Sequence, residues 1–423
     1  MRRLKRVPAL GDALERTGDL VKVFGGSGRR QAGSGQTSGT QRNPNLRNDL
    51  NGASRGYNNR ESAERPGRAP APQKKRGRGW LIALCTIALI VTGVFFYWKI
   101  TTKPPESSVD DVPGEGDSAN VERYYTLLVV GDDQEGGNTD TIMVMRFDTQ
   151  EMTVNVVSIP RDTTVNTELE NKKINAVYHN MGGMDALLDQ VERITGFRPN
   201  NYMMVDIDVF MEVVDALGGV EFDVPQDMYH EDFSWPDGKG GYKYVFVIDV
   251  KKGLQTLNGH DALGVFRFRG YPMGDIDRVA VQHDLMMAIA AKAMSTKNVV
   301  TLYNIASSVL DKCDTDLTVG NVQWYIQEFM KMSLDNISFY TAPTDNCMVF
   351  DTAYVSLQAD AWMEMVNSKL MPYDKTVTKE ELPLFVFKDG YIDSRGYRIV
   401  QQEDFYCTNG EKANNTNFYK NTN

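Results

Sequence analysis

An uncharged apolar run over residues 80–98 constrains this chain more than any other feature. Its nineteen residues, at ~1.5 Å per residue, would form a helix roughly 28 Å long, which matches the hydrocarbon core of a bilayer. Trp80 and Trp98 stand at its ends, where aromatic rings favour the membrane interface. The run is too long and too far from the N-terminus for a cleaved signal peptide. It predicts one transmembrane helix over residues 80–100, with a buried core helix as the alternative.

Charge is divided unequally on the two sides of this run. Residues 1–79 carry 18 Lys and Arg against 6 Asp and Glu, a balance of +12, so residues 80–423 of a chain whose net charge is −10 sum to −22. A basic cluster at residues 74–78 directly precedes the run, and positive clusters of this kind stay on the cytoplasmic side. We therefore expect a single-pass protein of the cell membrane, with a cytoplasmic N-terminus and an extracytoplasmic main domain.

The segments that flank the run are poor in the residues that build a core. Residues 1–79 are rich in Gly, Ser, Asn, Gln and Arg and bury too little apolar surface to fold alone. They predict a disordered, basic cytoplasmic tail close to anionic lipid, and nucleic-acid binding is the alternative that their arginines allow. Residues 101–120 contain Pro104, Pro105 and Pro113 and predict a linker.

Cysteines and short motifs exclude several kinds of site. The C-x-x-C and C-x-x-H spacings of zinc sites are absent, as are the Gly-x-Ser-x-Gly elbow, the Walker A loop and Gly-x-Gly-x-x-Gly. Cys85 lies inside the apolar run, whereas Cys313, Cys347 and Cys407 lie beyond it. Because an extracytoplasmic compartment permits oxidation, we expect a disulfide between Cys313 and Cys347.

Beyond Tyr124, short apolar segments alternate with helical periodicities. Apolar runs bounded by turn residues predict strands, and apolar residues at helical spacing predict helices. The predicted strands are 126–130, 142–147, 152–158, 220–224 and 337–341, and the predicted helices are 184–195, 209–217, 276–295, 299–311 and 319–332. This mixture predicts a three-layer α/β/α domain with a central mixed sheet over residues 121–372. Residues 373–423 are expected to form an extension with a strand over 382–387 and a disordered end over 409–423.

Acidic residues cluster where the first predicted strand ends and the second begins. Gly-Asp-Asp occupies residues 131–133, and Asn-Thr-Asp-Thr occupies residues 138–141. A Gly-rich loop between them brings the carboxylates together, and hard oxygen ligands of this kind suit Mg²⁺ or Mn²⁺. An acidic surface turn is the alternative.

The next polar motif, Ser-Ile-Pro-Arg-Asp at residues 158–162, follows the third predicted strand. Arg161 at a strand end is suited to gripping phosphate through its planar guanidinium fork. Asp162 is suited to orienting that arginine, binding a metal or accepting a proton. A surface salt bridge is the alternative.

A second arginine motif is Val-Phe-Arg-Phe-Arg at residues 265–269. On a strand, Arg267 and Arg269 would point to the same face about 7 Å apart, a spacing suited to a pyrophosphate. A solvated arginine face is the alternative. Alternating Arg and Phe also occur in nucleic-acid binders, but the acidic domain argues against that class.

The last motif opens a predicted helix. With a start near Ile276, Arg278 and Gln282 are four residues apart and share a face, which continues the anion site of the preceding arginine pair. Asp275 would then lie at the N-cap, where helix capping and a role in chemistry are both open.

Taken in order, these motifs resemble the LytR-CpsA-Psr family. The family's Gly-x-Asp opening is similar to residues 131–133, its Asp-Thr strand start to residues 140–141, and its Ser-Ile-Pro-Arg-Asp is intact at 158–162. Further matches are Lys-Ile-Asn-Ala at 173–176, Gly-Gly at 182–183, Ala-Leu-Gly-Gly-Val at 216–220, Leu-Asn-Gly-x-x-Ala-Leu at 257–263, Arg-x-Arg at 267–269 and Asp-x-x-Arg at 275–278. The resemblance covers residues 124–295. The family commonly has Arg immediately before Gln282, where this chain has Val281.

The resemblance implies a membrane-anchored phosphotransferase that moves a glycopolymer, such as teichoic acid or capsule, from a polyprenyl-pyrophosphate carrier to a peptidoglycan sugar hydroxyl. Its partners would be the lipid-linked glycan, peptidoglycan and membrane lipid, without nucleic acid, and its cofactor Mg²⁺ or Mn²⁺. The expected pyrophosphate ligands are Arg161, Arg267, Arg269, Arg278 and Gln282, the metal ligands are Asp133 and Asp140, and the catalytic residues are Arg161, Asp162 and Asp275, either aspartate being the proton acceptor.

Two other functions use the same features differently. A pyrophosphate hydrolase would act through these residues with water as the nucleophile. A membrane-bound transcription regulator would bind DNA through the basic tail, which lacks a helix-turn-helix pattern. Methionines are candidates for the wall of a lipid groove because their side chains adapt to irregular ligands, although core packing competes for them. These are Met143, Met145, Met203, Met204, Met286 and Met287.

Overall fold

A computed structural model describes residues 89, 92, 101–105, 123–132, 139–233, 245–272, 275–296, 298–394, 396–415 and 418. All of them belong to the unit Gly77–Asn423. Within these ranges, no helix is both long and apolar enough to cross a bilayer. The predicted tail, nearly all of the predicted transmembrane helix and Asp133 lie outside the described residues.

A six-stranded mixed sheet forms the centre of the domain. Its strands, in spatial order, are β10 (Ile337–Thr341), β3 (Thr153–Ile159), β2 (Thr139–Asp148), β1 (Tyr124–Asp132), β4 (Asn201–Asp206) and β9 (Asp314–Thr315). Strand β2 runs antiparallel to both β1 and β3, whereas β1 pairs with β4 and β3 with β10 in parallel. A turn over residues 149–152 joins β2 to β3, and these strand directions make β1, β3 and β4 end at the same edge of the sheet.

Helices pack on both faces of this sheet because its buried residues alternate between them. On one face, Leu128, Val144 and Val157 meet α1 (Met184–Thr195) and α7 (Ala359–Met365). On the other, Met143, Phe147 and Val156 meet apolar residues of α4 (Asp275–Ser295) and α6 (Val319–Phe329). This packing confirms the predicted mixed α/β fold with a central mixed sheet.

A second core lies beside the sheet and carries much of the candidate site. It is built from α2 (Ile207–Ala216), the paired strands β5 (Val220–Val224) and β8 (Gly253–Leu257), the hairpin of β6 (Met228–Phe233) and β7 (Val245–Val250), α3 (Gly259–Arg267) and one side of α4. The remaining long helix is α5 (Val299–Leu310), and the shorter helical turns are Ile174–Ala176, Tyr178–Gly182, Leu334–Asn336, Val366–Leu370 and Gln402–Asp404.

Gly259 allows α3 to begin directly against α2. A Cβ atom at this position would overlap the backbone of Met211, so a larger residue would push the two helices apart. The preceding Asn258 caps α3 by accepting a hydrogen bond of 2.8 Å from the Asp261 N–H. The Leu-Asn-Gly motif therefore fixes the start of the helix that ends at Arg267.

This helix corrects one prediction. Residues 265–269 were expected to form a strand, but α3 continues to Arg267 and the chain becomes extended only at Phe268. The local alternation of Phe and Arg is outweighed by the helical spacing of Ala262, Leu263 and Val265, which are buried in the second core. Arg267 and Arg269 therefore do not share a strand face.

The C-terminal part packs against the domain through two small sheets. One contains β12 (Thr352–Leu357), β11 (Thr344–Val349), β15 (Arg398–Ile399) and β14 (Tyr391–Ile392), and the other pairs β13 (Phe385–Phe387) with β16 (Phe405–Cys407). The predicted strand over 382–387 is thus present in shortened form. Phe418, inside the end predicted to be disordered, is 2% exposed and packs against Phe385 and Phe405, so that prediction is wrong for this residue.

The expected disulfide is also wrong. Cys313, Cys347 and Cys407 are all free thiols. Cys347 is buried in the C-terminal core together with Cys407, whereas Cys313 follows α5 directly before β9. Both Cys313 and Cys347 lie near predicted helices and strands in the sequence, and this proximity does not reveal that the two thiols belong to different parts of the fold.

Candidate functional site

The four arginines singled out in the sequence surround one cavity of about 630 Å³. Its lining, which we call the arginine cavity, comprises Asp140, Thr141, Arg161, Tyr229, His230, Phe266, Arg267, Phe268, Arg269, Gly270, Arg278 and Gln282. These residues come from β2, the end of β3, the β6–β7 hairpin and the two helices α3 and α4. The structure therefore brings together all five residues expected to hold pyrophosphate, although their role as ligands stays a prediction.

Helix α3 presents Arg267 from its last residue. The Arg267 guanidinium lies 5.4 Å from the centroid of the Phe246 ring, and Phe246 in turn stacks on His260 at 4.5 Å. Phe246 is 1% exposed, so it forms a rigid apolar support beneath the charged group. Arg269 follows two residues later, where the extended backbone after Phe268 returns its side chain to the same cavity.

Helix α4 contributes Arg278 and Gln282, one turn apart, as the spacing predicted. The Gln282 side chain also donates a 2.9 Å hydrogen bond from Nε2 to the Phe266 carbonyl. This bond ties α4 to the last turn of α3, so Gln282 positions the helix that carries Arg267 as well as lining the cavity. The helix begins at Asp275, one residue earlier than expected, and the Asp275 side chain lies outside the described part of the chain. Val281 packs against the second core.

Arg161 lies between two carboxylates at the end of β3. Its Nη1 donates to Asp140 Oδ1, and its Nε is 3.9 Å from Asp162 Oδ2. Asp162 also forms a 2.8 Å ion pair with Lys173, a contact that we did not predict although Lys173 belongs to a recognised motif. Asp162 is therefore held between two cations and is not among the residues that line the cavity.

Of the two expected metal ligands, Asp140 lines the arginine cavity, and Asp133 lies outside the described residues. Among the residues with a described position, no cluster of three or more His, Cys, Asp or Glu side chains is arranged to hold a metal ion. Asp140 contacts Arg161 through one carboxylate oxygen. Mg²⁺ commonly binds one or two carboxylates and takes its other ligands from water and phosphate, so the donor type at Asp140 fits this ion.

An apolar cleft of about 150 Å³ adjoins the arginine cavity. The two share Asp140, Thr141, Phe266 and Arg267, and the cleft continues between β1, β2, β4, α2 and α4 along Val129, Val130, Gly131, Asp132, Met143, Val205, Asp206, Ile207, Phe210, Leu263 and Met286. Two of the six candidate methionines, Met143 and Met286, line it. Met145, Met204 and Met287 pack in the two sheet cores. A charged cavity thus opens directly beside an apolar one.

The sequence patterns did not predict the environments of two histidines, His230 and His283. His230 lines the arginine cavity from the β6–β7 hairpin, but no local motif distinguishes it from the other three histidines. His283, next to Gln282 on α4, lies with its Nε2 3.1 Å from Ser158 Oγ, and its ring centroid is 5.3 Å from that of Phe339 in a tilted arrangement. The serine of the Ser-Ile-Pro-Arg-Asp motif therefore connects the strand that carries Arg161 to α4.

His283 is expected to make stability depend on pH. Burial between α4 and the sheet lowers the pKa of His283, and Asp284 opposes this effect. An unfolded histidine titrates near pH ~6.5, so the unfolded state binds this proton first as pH falls. The contribution of His283 to stability is therefore complete above about pH 7.5 and is lost as the pH falls through the lowered value. Urea unfolding between pH 5 and 8 should show a smaller loss for His283→Gln than for the parent, and equal pH dependence in the two would contradict the assignment.

Comparisons with known proteins agree with this architecture. A sequence model of the LytR_cpsA_psr family matches residues 95–370. Polyisoprenyl-teichoic acid–peptidoglycan teichoic acid transferase TagV of Bacillus subtilis is 26% identical over 279 residues, which cover 61% of this chain and 68% of that protein. Probable cell wall biosynthesis protein LcpB of Corynebacterium glutamicum is 29% identical over 319 residues, 70% of this chain and 72% of the relative.

The crystal structure of protein gbs0355 from Streptococcus agalactiae has a TM-score of 0.51 at 20% identity and covers 61% of this chain and 91% of its own. At that identity, the similarity establishes the fold alone. The match to the family itself extends over more than half of the sequence. The chain therefore belongs to the LytR-CpsA-Psr family.

Proposed function

We propose that this protein transfers a phosphorylated glycopolymer from a polyprenyl-pyrophosphate carrier to a sugar hydroxyl of peptidoglycan. The observation that carries the proposal is the junction of the arginine cavity with the apolar cleft. A ligand that fits both has concentrated negative charge next to a long apolar group, as a lipid pyrophosphate does. Relatives named as teichoic acid transferases and as a cell wall biosynthesis protein support this assignment.

The arginines suit the chemistry of phosphoryl transfer, in which catalysis depends mainly on positioning and electrostatic stabilisation. Arg267 and Arg269 approach from the end of α3, Arg278 from α4, and Arg161 from the end of β3. Guanidinium groups converging from different elements can hold both phosphates of a pyrophosphate and follow the charge as it moves to the leaving phosphate. Asp140 orients Arg161 through their ion pair.

A metal ion completes the proposal. Asp140 and Asp133 would hold Mg²⁺ or Mn²⁺, which when bound supplies positive charge that neutralises the leaving phosphate. The lipid part of the donor would lie along the cleft beside Met143, Phe210 and Met286. These side chains are apolar, and methionine adapts its shape to an irregular hydrocarbon.

The transfer reaction tests the proposal directly. Purified protein is incubated with a synthetic polyprenyl-pyrophosphate oligosaccharide, Mg²⁺ and peptidoglycan oligomers, and the products are identified by mass spectrometry. We expect a phosphodiester-linked conjugate and free polyprenyl phosphate, both reduced when the metal is chelated. Release of free phosphorylated oligosaccharide without a conjugate would instead identify a pyrophosphate hydrolase.

We also propose that residues 80–100 anchor the chain in the cell membrane, with residues 1–79 in the cytoplasm. The uncharged run and the basic cluster at 74–78 support this topology, and a membrane-embedded donor requires the catalytic domain to stay near the bilayer. Protease added to intact protoplasts should digest residues beyond 120 and spare a tag at residue 1. A tag that is digested under these conditions would contradict the proposed orientation.

A further inference from the structure

We propose that the start of α6 lies against the lipid headgroups on the extracytoplasmic surface of the membrane, an inference that rests on the proposed membrane anchor and not on the transfer chemistry. The observation that carries it is the course of residues 101–105, which directly follow the proposed span over 80–100. The chain is helical at Thr101 and buried at Pro105. This segment, which we call the strap, packs on residues 318–323 at the start of α6.

The strap is held by hydrogen bonds from two segments of the chain that are distant in sequence. Asn321 donates a 3.2 Å hydrogen bond from Nδ2 to the Lys103 carbonyl, while its Oδ1 accepts from the backbone N–H and the hydroxyl of Thr318. The Thr102 hydroxyl donates a 3.2 Å hydrogen bond to Gln323 Oε1. Asn321 and Gln323 are only 9% and 7% exposed. Because hydrogen bonds shielded from water are stronger than exposed ones, these contacts fix the strap to the domain.

Gly320 lets the strap approach the backbone of α6. A Cβ atom at this position would overlap the carbonyl oxygen of Thr101, so a larger residue must displace the strap or the helix. Glycine inside a helix is less favourable than most other residues, and Gly320 lies in the first turn of α6, directly after Val319. The close contact with the strap gives a reason for a glycine at this place.

The distance from the proposed span to this contact is short. Trp98, the aromatic residue that ends the apolar run, favours the membrane interface, and Thr101 lies three residues further along the chain. Three residues reach at most ~11 Å even when fully extended, and the headgroup layer on each side of the hydrocarbon core is roughly 5–8 Å thick. The carbonyl of Thr101, and with it the start of α6, therefore lies in or next to the headgroup layer.

The exposed side chains at this point suit such a surface. Val319 is 42% exposed, and Lys103 is exposed on the strap. An apolar side chain can enter the interface, and a lysine there can pair with lipid phosphate. The contact is separate from the arginine cavity, because α6 covers the beginning of β1, where the Trp324 ring centroid lies 4.5 Å from that of Tyr125. The cavity lies at the opposite edge of the sheet, where Arg161 follows the end of β3.

The test is fluorescence quenching in liposomes that contain a lipid with a nitroxide on its headgroup. The full chain, with Cys85→Ser and Cys313→Ser, is labelled at Val319→Cys or, as a control, at Tyr391→Cys; the two remaining cysteines are buried. Tyr391 is 63% exposed and belongs to the small sheet that joins the domain beyond the end of β3. We expect the label at position 319 to be quenched severalfold more strongly than the label at position 391.

Two variants connect this result to the strap. Gly320→Leu favours α6 itself but displaces Thr101, so quenching at position 319 should fall to the level of the control. Asn321→Asp keeps the oxygen that caps α6 and replaces the donor to Lys103 with a carboxylate oxygen, so it should have the same effect. Unchanged thermal unfolding and circular dichroism would show that both variants are folded.

The opposite results are equally informative. Weak quenching at position 319 in a parent chain that floats with the liposomes would overturn the proposed membrane contact. Parental quenching in both folded variants would show that the strap does not hold α6 at the bilayer, and would overturn it as well. A parent that does not float with the liposomes would refute the membrane anchor itself. Since no donor or acceptor is present, these outcomes are independent of whether the transferase function is correct.

Discussion

Alanine in place of Arg267 is expected to slow glycan transfer by about ten- to a hundredfold, since a hydrogen bond to a charged group contributes ~1.5–3 kcal/mol. Arg267 lies where the arginine cavity meets the apolar cleft, and Phe246 supports its guanidinium from below. Bringing four guanidinium groups to one cavity is electrostatically unfavourable, and Asp140, the one carboxylate among the described lining residues, offsets only part of that charge. The bound pyrophosphate would provide the remaining anions, which is why loss of one arginine should affect the transition state.

Two further variants make this result specific. Arg267→Lys keeps the positive charge but loses the planar fork, so transfer should still be impaired. Arg198→Ala is the matched control, because Arg198 pairs with Asp185 and Asp189 of α1 and does not line the arginine cavity, and surface ion pairs contribute little. Initial rates and the thermal shift on adding polyprenyl phosphate are measured for all three. Parental binding and transfer in Arg267→Ala would show that these arginines form an ordinary solvated surface.

Strands β1, β2, β3 and β10 of the central sheet could be predicted because each is marked by a pattern of residues within its own short segment of the sequence. β10 and α1 have the predicted bounds, and β1, β2 and β3 differ from prediction by only a few residues at their ends. The buried strands are short apolar runs with turn residues on both sides, and α1 has a continuous apolar face at helical spacing. The ends of β1 and β3 follow from the same pattern, which is why Gly131, Asp140 and Arg161 were placed at one edge of the sheet, whereas β4 was not predicted.

The arginine pair shows where local pattern fails. Residues 265–269 alternate in a manner typical of a strand, yet Asn258 caps a helix seven residues earlier and Gly259 lets that helix pack closely on α2. The conformation of Arg267 is therefore decided by residues upstream of the motif. Arg269 still lines the same cavity as Arg267, so the two side chains lie together as expected, although the geometric reason given for it was wrong.

Contacts between segments that are far apart in the sequence could not be predicted from local sequence patterns. His230 meets the arginines only because the β6–β7 hairpin packs beside α3 and α4. Lys173 meets Asp162 because residues 163–175 return to the end of β3, where the Ile174 N–H bonds to the Thr163 carbonyl. Such pairs depend on tertiary packing, and neither member carries a local signal of its partner.

Alanine in place of Trp362 is expected to lower the free energy of unfolding by about 3–5 kcal/mol, the usual cost of removing a buried tryptophan. Trp362 in α7 is 0% exposed and belongs to the core between α1 and the sheet. Its indole Nε1 donates a 2.6 Å hydrogen bond to the Ile194 carbonyl at the end of α1. The substitution would therefore leave a large void and a buried carbonyl without its donor.

Urea unfolding of the purified chain, followed by circular dichroism, measures this change. Trp362→Phe keeps a six-membered aromatic ring in the core but removes the pyrrole ring with its N–H, so it leaves a smaller void than alanine while losing the same hydrogen bond. We expect it to be less destabilising than the alanine variant, by an amount that reflects the void. A loss below about 1 kcal/mol in Trp362→Ala, far under the range for buried aromatic residues, would mean that α7 is not a fixed part of the core. In that case, α1 alone would cover the face of the sheet opposite α4 and α6.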